Sequence, residues 1–504
     1  MKNTSPFFVR LAYIYVTLPV LIFVAGWCKL PIGLLGGLII LVSLYFTCKN
    51  APALWKPENS DQKRMLLLLA LISLTWVFLS GIGALVYQNQ DHNTRNTLFE
   101  MLVGLSWPVI VNKPAVILTY YIGFWLPSAL IGKLAHSVQL GYYMQVVWAS
   151  LGVFLFFYML LGTLKRKAYW PVLLFIFFSG LDTVGCLVMG KDHLLIIPWT
   201  HMEWYYYPFS QFSSFTTQLF WVFNQAIPLW VTVMLMYHEK NNKSLFFLYA
   251  CLFLQSTLPA FGLFPFLVYW YFQKSGTTFT GEQFDFTAFF GKLKETIKSS
   301  VTLQNTLGAL CVVAITFPYL SGNIAGGYHS VTQLPAKMNI LHWLAVFFLL
   351  EVGLYLLCLI YTQRKNPLYY LCLGCFLIYP FYKIGLGADF CMRGTLAPLV
   401  LLFVMIAQTL ENADFRKAHL GIFYILIFLL SLGAMTPLHE FTRTIHFTRL
   451  GYTKIPPDLF LLNFFGYTDG NRFLKYYGTV KPSSTFSGEE VELYIRMDDI
   501  PPQP

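Results

Sequence analysis

Four stretches of this 504-residue chain gather side chains able to move protons or hold anions. In Tyr87-Gln-Asn-Gln-Asp91-His92-Asn93-Thr-Arg95-Asn96 a carboxylate, an imidazole and a guanidinium stand among amides just past an apolar run. A carboxylate so placed can take a proton from a hydroxyl, with His92 or Arg95 to assist; the competing reading is a solvated loop cap. Ser179-Gly-Leu-Asp182-Thr183 and Glu351 lie inside apolar runs, where a carboxylate costs about 2.5 to 3.5 kcal/mol on insertion scales. Such an acid faces a cavity, a partner or a packed polar network.

The third stretch runs from His193 through His201-Met-Glu203-Trp204-Tyr-Tyr-Tyr-Pro-Phe-Ser-Gln211, with Gln218, Asn224 and Gln225 on the helix that follows. Aromatic faces meet the C–H groups of sugar rings while carboxylates and amides read their hydroxyls; Tyr and Trp also anchor helix ends at a membrane interface without any ligand. The fourth is Lys383 with Asp389-Phe-Cys-Met-Arg393. The planar fork of Arg393 suits a phosphate, and an internal Asp389–Arg393 pair at i, i+4 is the alternative. His329 and His342 stand at no metal-ligand spacing, and Cys372-Leu-Gly-Cys375 has no partner pair, so both sets read as packing residues.

The elements that must position these groups are membrane helices. The composition is 57% hydrophobic and only 11% charged, against roughly 25% charged in soluble domains, which excludes an ordinary soluble enzyme. Apolar runs approach the ~20 residues a helix needs to cross a bilayer. The 31 Tyr and 13 Trp suit its two interfaces. A net charge of +11 then points to anionic lipid and not to nucleic acid. No phosphate-binding loop, dinucleotide fingerprint, metal-protease motif or repeat appears.

Basic loops fix the orientation. Lys49 to Arg64, Lys165-Arg166-Lys167, His238 to Lys243, Gly291 to Lys298, Arg364-Lys365 and Arg416-Lys417 can all be cytoplasmic at once. This requires Leu245 to Phe272 to break near Ser256-Thr-Leu-Pro259 and cross twice, and Val116 to Leu134 to cross an even number of times or dip and return. The expected architecture is an all-α polytopic bundle over residues 1–435 with about 11–14 spans. An exoplasmic tail follows over 436–504. The N-terminus is cytoplasmic, and the loops Gln88 to Pro114, Lys191 to Thr217, Ser321 to Asn339 and Gly385 to Thr395 lie on the exoplasmic side of a multi-pass cell-membrane protein, with Asp182 and Glu351 inside spans.

An outward-facing acid past an early span, followed by a lipid-facing loop and many spans with short cytoplasmic turns, resembles the GT-C superfamily of integral-membrane glycosyltransferases. The resemblance implies a polyprenyl-phosphate-linked sugar as donor and a cell-envelope glycan or lipid as acceptor. Asp91 would be the catalytic base assisted by His92 or Arg95, and Arg393, with Lys383, would hold the donor phosphate. No cofactor is implied, and a divalent metal stays open. In that superfamily the acid usually follows the first span, whereas Asp91 follows the third, as if a leading hairpin had been added. Trp221-Val-Phe-Asn-Gln225-Ala-Ile-Pro228 is also similar to a group of bacterial multi-span proteins without an assigned activity. The main alternative is a transporter or lipid flippase centred on Asp182 and Glu351; a polysaccharide polymerase or ligase is a third class.

Overall fold

In a computed structural model, the chain is described over residues 4–109, 116–165, 167–191, 200–207, 209–275, 286–321, 339–382, 384, 388–454 and 466–469. Lys383, His193, His329 and the tail beyond 469 lie outside the described residues. The described chain is mostly helical. It runs α1 (Phe7–Trp27), α2 (Leu30–Lys49), α3 (Ser60–Leu79), α4 (Asp91–Gly104), α5 (Leu126–Leu134), α6 (Val138–Gly162), α7 (Trp170–Ile176), α8 (Asp182–Val188), α9 (Phe215–His238), α10 (Leu245–Phe253) and α11 (Thr257–Gln273). There follow α12 (Phe286–Ser300), α13 (Ala309–Ser321), α14 (Ile340–His342), α15 (Leu354–Gln363), α16 (Pro367–Ile378), α17 (Asp389–Gly394), α18 (Leu396–Glu411), α19 (Ala413–Ala418), α20 (Leu420–Gly433) and α21 (Met435–Arg449).

Among the described residues, eight helices are long and apolar enough to cross a membrane, or nine if a pair bent by 86° around Ser300 is one span. This is fewer than the 11–14 expected, because several apolar runs are broken. Residues 177–181 interrupt α7 and α8, and Leu254 to Ser256 separate α10 from α11. At 1.5 Å per residue, the nine residues of α10 rise only about 14 Å. Leu245 to Phe272 therefore forms a hairpin that enters and leaves on one side, where two full crossings were expected. Helix α2 leaves Leu34, Leu35, Leu38 and Leu41 exposed, whereas α9 is buried from Phe215 to Met236. Outward leucines on an apolar helix are the mark of lipid as solvent.

The 21 residues of α1 separate two ends of the bundle by about 31 Å. At the lower end, where α1 begins, strand β1 (Thr4–Ser5) pairs antiparallel with β2 (Leu54–Trp55). The basic loops meet there. Lys165 N donates to Glu411 Oε2 at 2.8 Å, Lys274 Nζ to the Tyr237 carbonyl at 3.0 Å, and Thr362 and Thr409 share a hydroxyl bond of 2.7 Å. Asn242 Nδ2 donates to Ser299 Oγ at 3.2 Å. At the upper end, Trp27 packs on Trp107 with ring centroids 4.8 Å apart, and β3 (Val116–Thr119) pairs antiparallel with β4 (Gly466–Asp469).

Helix α9 is bent. Val222 has φ −136° and ψ 34°, and Trp230 Nε1 donates to Gln218 Oε1 at 3.0 Å. Residues twelve apart in a straight helix would be about 18 Å apart along its axis. Phe215 to Trp221 therefore folds back beside the rest of α9, making residues 201–221 a re-entrant stretch that starts and ends at the upper side.

Candidate functional site

Asp91 is the first residue of α4, where a carboxylate complements the helix dipole. Gly81 and Gly83, at φ +87° and +86°, turn the chain out of α3 toward it. The turn is then tied down: Asn89 Nδ2 donates to the Phe220 carbonyl at 2.8 Å, and Asn89 Oδ1 accepts from Asp91 N at 3.1 Å. Asp91 Oδ2 accepts from Arg95 Nη2 at 3.0 Å, and the Arg95 guanidinium lies 5.6 Å from the Phe223 ring centre.

His92 does not fit the assisting role. Its Nε2 is 3.1 Å from the Phe220 carbonyl, so that nitrogen carries the proton, and its Nδ1 accepts from Gln88 Nε2 at 3.2 Å. Burial and the neighbouring Arg95 charge lower its pKa to about 3. Neutral and bonded at both nitrogens, it secures α4 against α9.

Arg393 Nη1 bonds Asp389 Oδ2 at 2.9 Å within α17. The guanidinium also stands in the electrostatic field of Tyr121, Tyr120 and Asp91, and Tyr120 in turn feels both Arg393 and Arg95. Tyr120 and Tyr121 share a hydroxyl bond, and Gln225 Nε2 donates to Tyr121 Oη at 3.2 Å. Asp91, Arg95, Gln225 and Arg393 thus belong to one polar cluster drawn from α4, α9, α17 and the segment before α5. Buried atoms on these elements lack a protein partner: Arg95 Nη1, Asn93 Oδ1, Asn224 Oδ1, Gln225 Oε1 and Arg393 Nε. Each such atom costs roughly 1–3 kcal/mol if left unsatisfied.

A second cluster sits where the re-entrant stretch meets α21. His201 Nδ1 is 3.0 Å from Glu440 Oε1 and its Nε2 is 3.6 Å from Glu203 Oε2. Glu203 accepts from Gln211 Nε2 at 3.0 Å and Ser214 N at 2.9 Å. Glu440 also accepts from Arg443 Nη1 and Trp221 Nε1, each at 3.0 Å. Burial alone would lower the His201 pKa, but the bonds and charges of Glu203 and Glu440 outweigh it and raise it to about 9. Beside this cluster lies a cavity of about 370 Å³ lined by Tyr87, Gln90, His201, Trp204, Trp221, Arg443, Phe447 and Tyr452.

The third cluster is deeper. Asp182 Oδ2 accepts from Ser179 Oγ at 2.6 Å and Thr436 Oγ1 at 2.8 Å, and Glu351 Oε1 accepts from Tyr205 Oη at 2.6 Å. The two acids interact directly across the break between α7 and α8. Glu351 closes a π-helix over Trp343–Gly353 and rests on Gly180, where an added Cβ would come within 2.0 Å of its Oε2. The Ser179, Thr436 and Tyr205 hydroxyls serve one oxygen of each carboxylate, and no further donor among the described residues reaches Asp182 Oδ1 or Glu351 Oε2.

Glu440, Arg443, Tyr120 and Tyr121 were not singled out from sequence. Glu440-Phe-Thr-Arg443 falls where hydropathy drops, within the stretch expected to be an exoplasmic tail, and its i, i+3 charge pair is the available signal. The adjacent tyrosines just before the broken Leu126-Pro127 run were another. Among the described residues, no three His, Cys, Asp or Glu side chains are grouped to hold a metal ion. Compared with known protein families, with curated proteins and with solved structures, the chain matches none.

Proposed function

We propose that this chain is a membrane glycosyltransferase that moves a sugar from a polyprenyl-phosphate donor to a glycan or lipid acceptor. The observation that carries the reading is the shared cluster: Asp91 and Arg393, far apart in sequence, stand in one electrostatic neighbourhood with Tyr120, Tyr121 and Gln225. Asp91 accepts the proton of an acceptor hydroxyl, whose oxygen attacks the sugar's anomeric carbon. The bond from that carbon to the phosphate oxygen breaks, and Arg393 neutralises the charge left on the polyprenyl phosphate. Arg95 orients the Asp91 carboxylate, and Tyr121 and Gln225 offer hydrogen bonds to the sugar. The gathering of basic loops at the lower end supports an exoplasmic upper end, so that lipid-linked donor and acceptor meet outside the cytoplasm of a cell membrane.

The break between α7 and α8 and the π-helix at Glu351 favour a second reading, a transporter that uses the Asp182–Glu351 pair. Purified protein in vesicles without any gradient, supplied with polyprenyl-phosphate sugar and acceptor glycans, separates the two. The enzyme reading expects glycosylated product and free polyprenyl phosphate. No product, together with gradient-dependent movement of lipid or sugar, would establish the transporter instead.

A further inference from the structure

The cavity beside the second cluster is a better clue to the acceptor than to the donor. Its volume of about 370 Å³ lies at the small end of the ~300–1,000 Å³ usual for ligand sites. Its wall includes Gln90, the N-cap residue of α4 and the residue before Asp91, so the cavity reaches to within one residue of the proposed base. Aromatic faces lead inward from the surface. Tyr207, 50% exposed, packs on Trp204 with ring centroids 5.5 Å apart, and Tyr452, 60% exposed, lines the cavity.

The charges are layered. The lining contains Arg443 and His201 but no carboxylate, while Glu440 and Glu203 stand behind it and hold the two bases in place. Arg443 lies 5.4 Å over the Trp221 ring and His201 stacks on the same ring at 4.9 Å, which fixes both cations at the cavity wall. Arg443 is only 7% exposed, and its Nε has no partner in the protein. With a pKa raised to about 9, His201 carries a proton at neutral pH. Aromatic surface flanked by two anchored cations, with their counter-charges out of a ligand's reach, selects a ring bearing an anion over a neutral one.

We propose that this cavity is the acceptor site of the transferase, an assignment that rests on the enzyme reading, and that the acceptor is a glycan carrying a carboxylate or a phosphate on the unit seated there. Stacking on Trp204 orients the ring, Arg443 and His201 bind the anion, and a hydroxyl is left to face Asp91.

Binding without donor tests this directly. Full-length protein in nanodiscs is titrated with a hyaluronan tetrasaccharide, with a glycerol-phosphate tetramer and with chitotetraose as the neutral control, reading tryptophan fluorescence and heat. At least one anionic probe should bind about tenfold or more tighter than chitotetraose, with an affinity that falls as salt is added. Which of the two binds identifies the source of the anion. Arg443→Gln should abolish the preference, and Trp204→Ala should weaken binding by about tenfold. Because Arg443 also braces Glu440, the rim variants Trp204→Ala and Tyr452→Ala keep the test valid if Arg443→Gln fails to fold. Equal binding of chitotetraose, no binding of any probe, or unchanged binding in both rim variants would overturn the assignment. Since no donor is present, these results leave the transfer assay untouched, and a failed transfer assay with intact binding would overturn only the enzyme reading.

Discussion

Asp91 and Asp389 each face a guanidinium, whereas Asp182 and Glu351, deeper in the same bundle, are bonded by the hydroxyls of Ser179, Thr436 and Tyr205. The first arrangement leaves charged donors with unused capacity: Arg95 Nη1 and Arg393 Nε have no protein partner. The second closes a break in a helix, with Glu351 lying on Gly180 and Tyr355 Oη donating to the Ser179 carbonyl at 2.9 Å. A site built to receive an anionic substrate needs cations that can exchange partners. The deep site joins two half-helices through short hydroxyl bonds, and its spare atoms, Asp182 Oδ1 and Glu351 Oε2, are acceptors with nothing to offer an anion. On the proposed reading, this contrast gives the chemistry to the Asp91–Arg393 cluster and leaves the Asp182–Glu351 pair an architectural role.

The variants that break this contrast most sharply are at Asp91. On the proposed reading, Asp91→Asn lowers turnover by about 10²–10⁴-fold while leaving donor binding nearly intact, as measured by steady-state transfer and by donor titration. Arg393→Ala acts on the other parameter and weakens donor affinity by roughly 10- to 100-fold, with Lys a partial rescue because the bidentate fork is lost. Gly262→Ala reaches the same arginine indirectly. An added Cβ would stand 2.0 Å from the Gly394 carbonyl, so α17 must shift, costing about 1–3 kcal/mol; thermal unfolding in detergent and donor affinity should fall together. Asp182→Asn keeps the shape and an acceptor oxygen, and turnover should stay within a few-fold of wild type. Lost activity with retained folding would move the charge requirement to the deep pair and favour the transporter reading.

The second cluster gives a milder, pH-dependent effect. His201 is raised from 6.5 to about 9 by Glu203 and Glu440 against the cost of burial, with Arg443 and His439 as the other charged or titratable neighbours of Glu440. A raised folded-state value means that the stabilisation is fully present below pH 6.5 and is lost as the pH climbs through about 9. The melting temperature should decline over that window, and His201→Gln should flatten the decline. A wild-type profile that is flat between those values would show that His201 is not held protonated by its two acids.

Much of the frame was legible from sequence because it depends on local patterns. Apolar runs near 20 residues announce helices in lipid, and the basic loops do meet at one end. The Asp389–Arg393 pair is the i, i+4 alternative that the sequence offers, and Asp91–Arg95 forms at the same spacing. Other features depend on contacts that no window contains. The fold-back at Val222 is held by Trp230 and Gln218, and hydropathy sees only one continuous apolar segment there. The same blindness inflated the span count, since a break such as 177–181 does not lower the mean hydropathy enough to register. His92 looked like a proton carrier by type, and only the Phe220 carbonyl and Gln88, one on each nitrogen, reveal a structural tie. Glu440 and Arg443 escape a hydropathy window for the opposite reason, since the polar end of a helix has the composition of a tail.

The central claim is that Asp91 and Arg393 divide one substrate between them. It is tested most directly by a cryo-electron-microscopy structure of the protein bound to a non-transferable polyprenyl-phosphate sugar analogue. The proposal predicts the donor phosphate within hydrogen-bond reach, about 2.7–2.9 Å, of the Arg393 guanidinium, with the anomeric carbon turned toward Asp91. A phosphate seated against the Asp182–Glu351 pair, or on a surface remote from both Asp91 and Arg393, would contradict it.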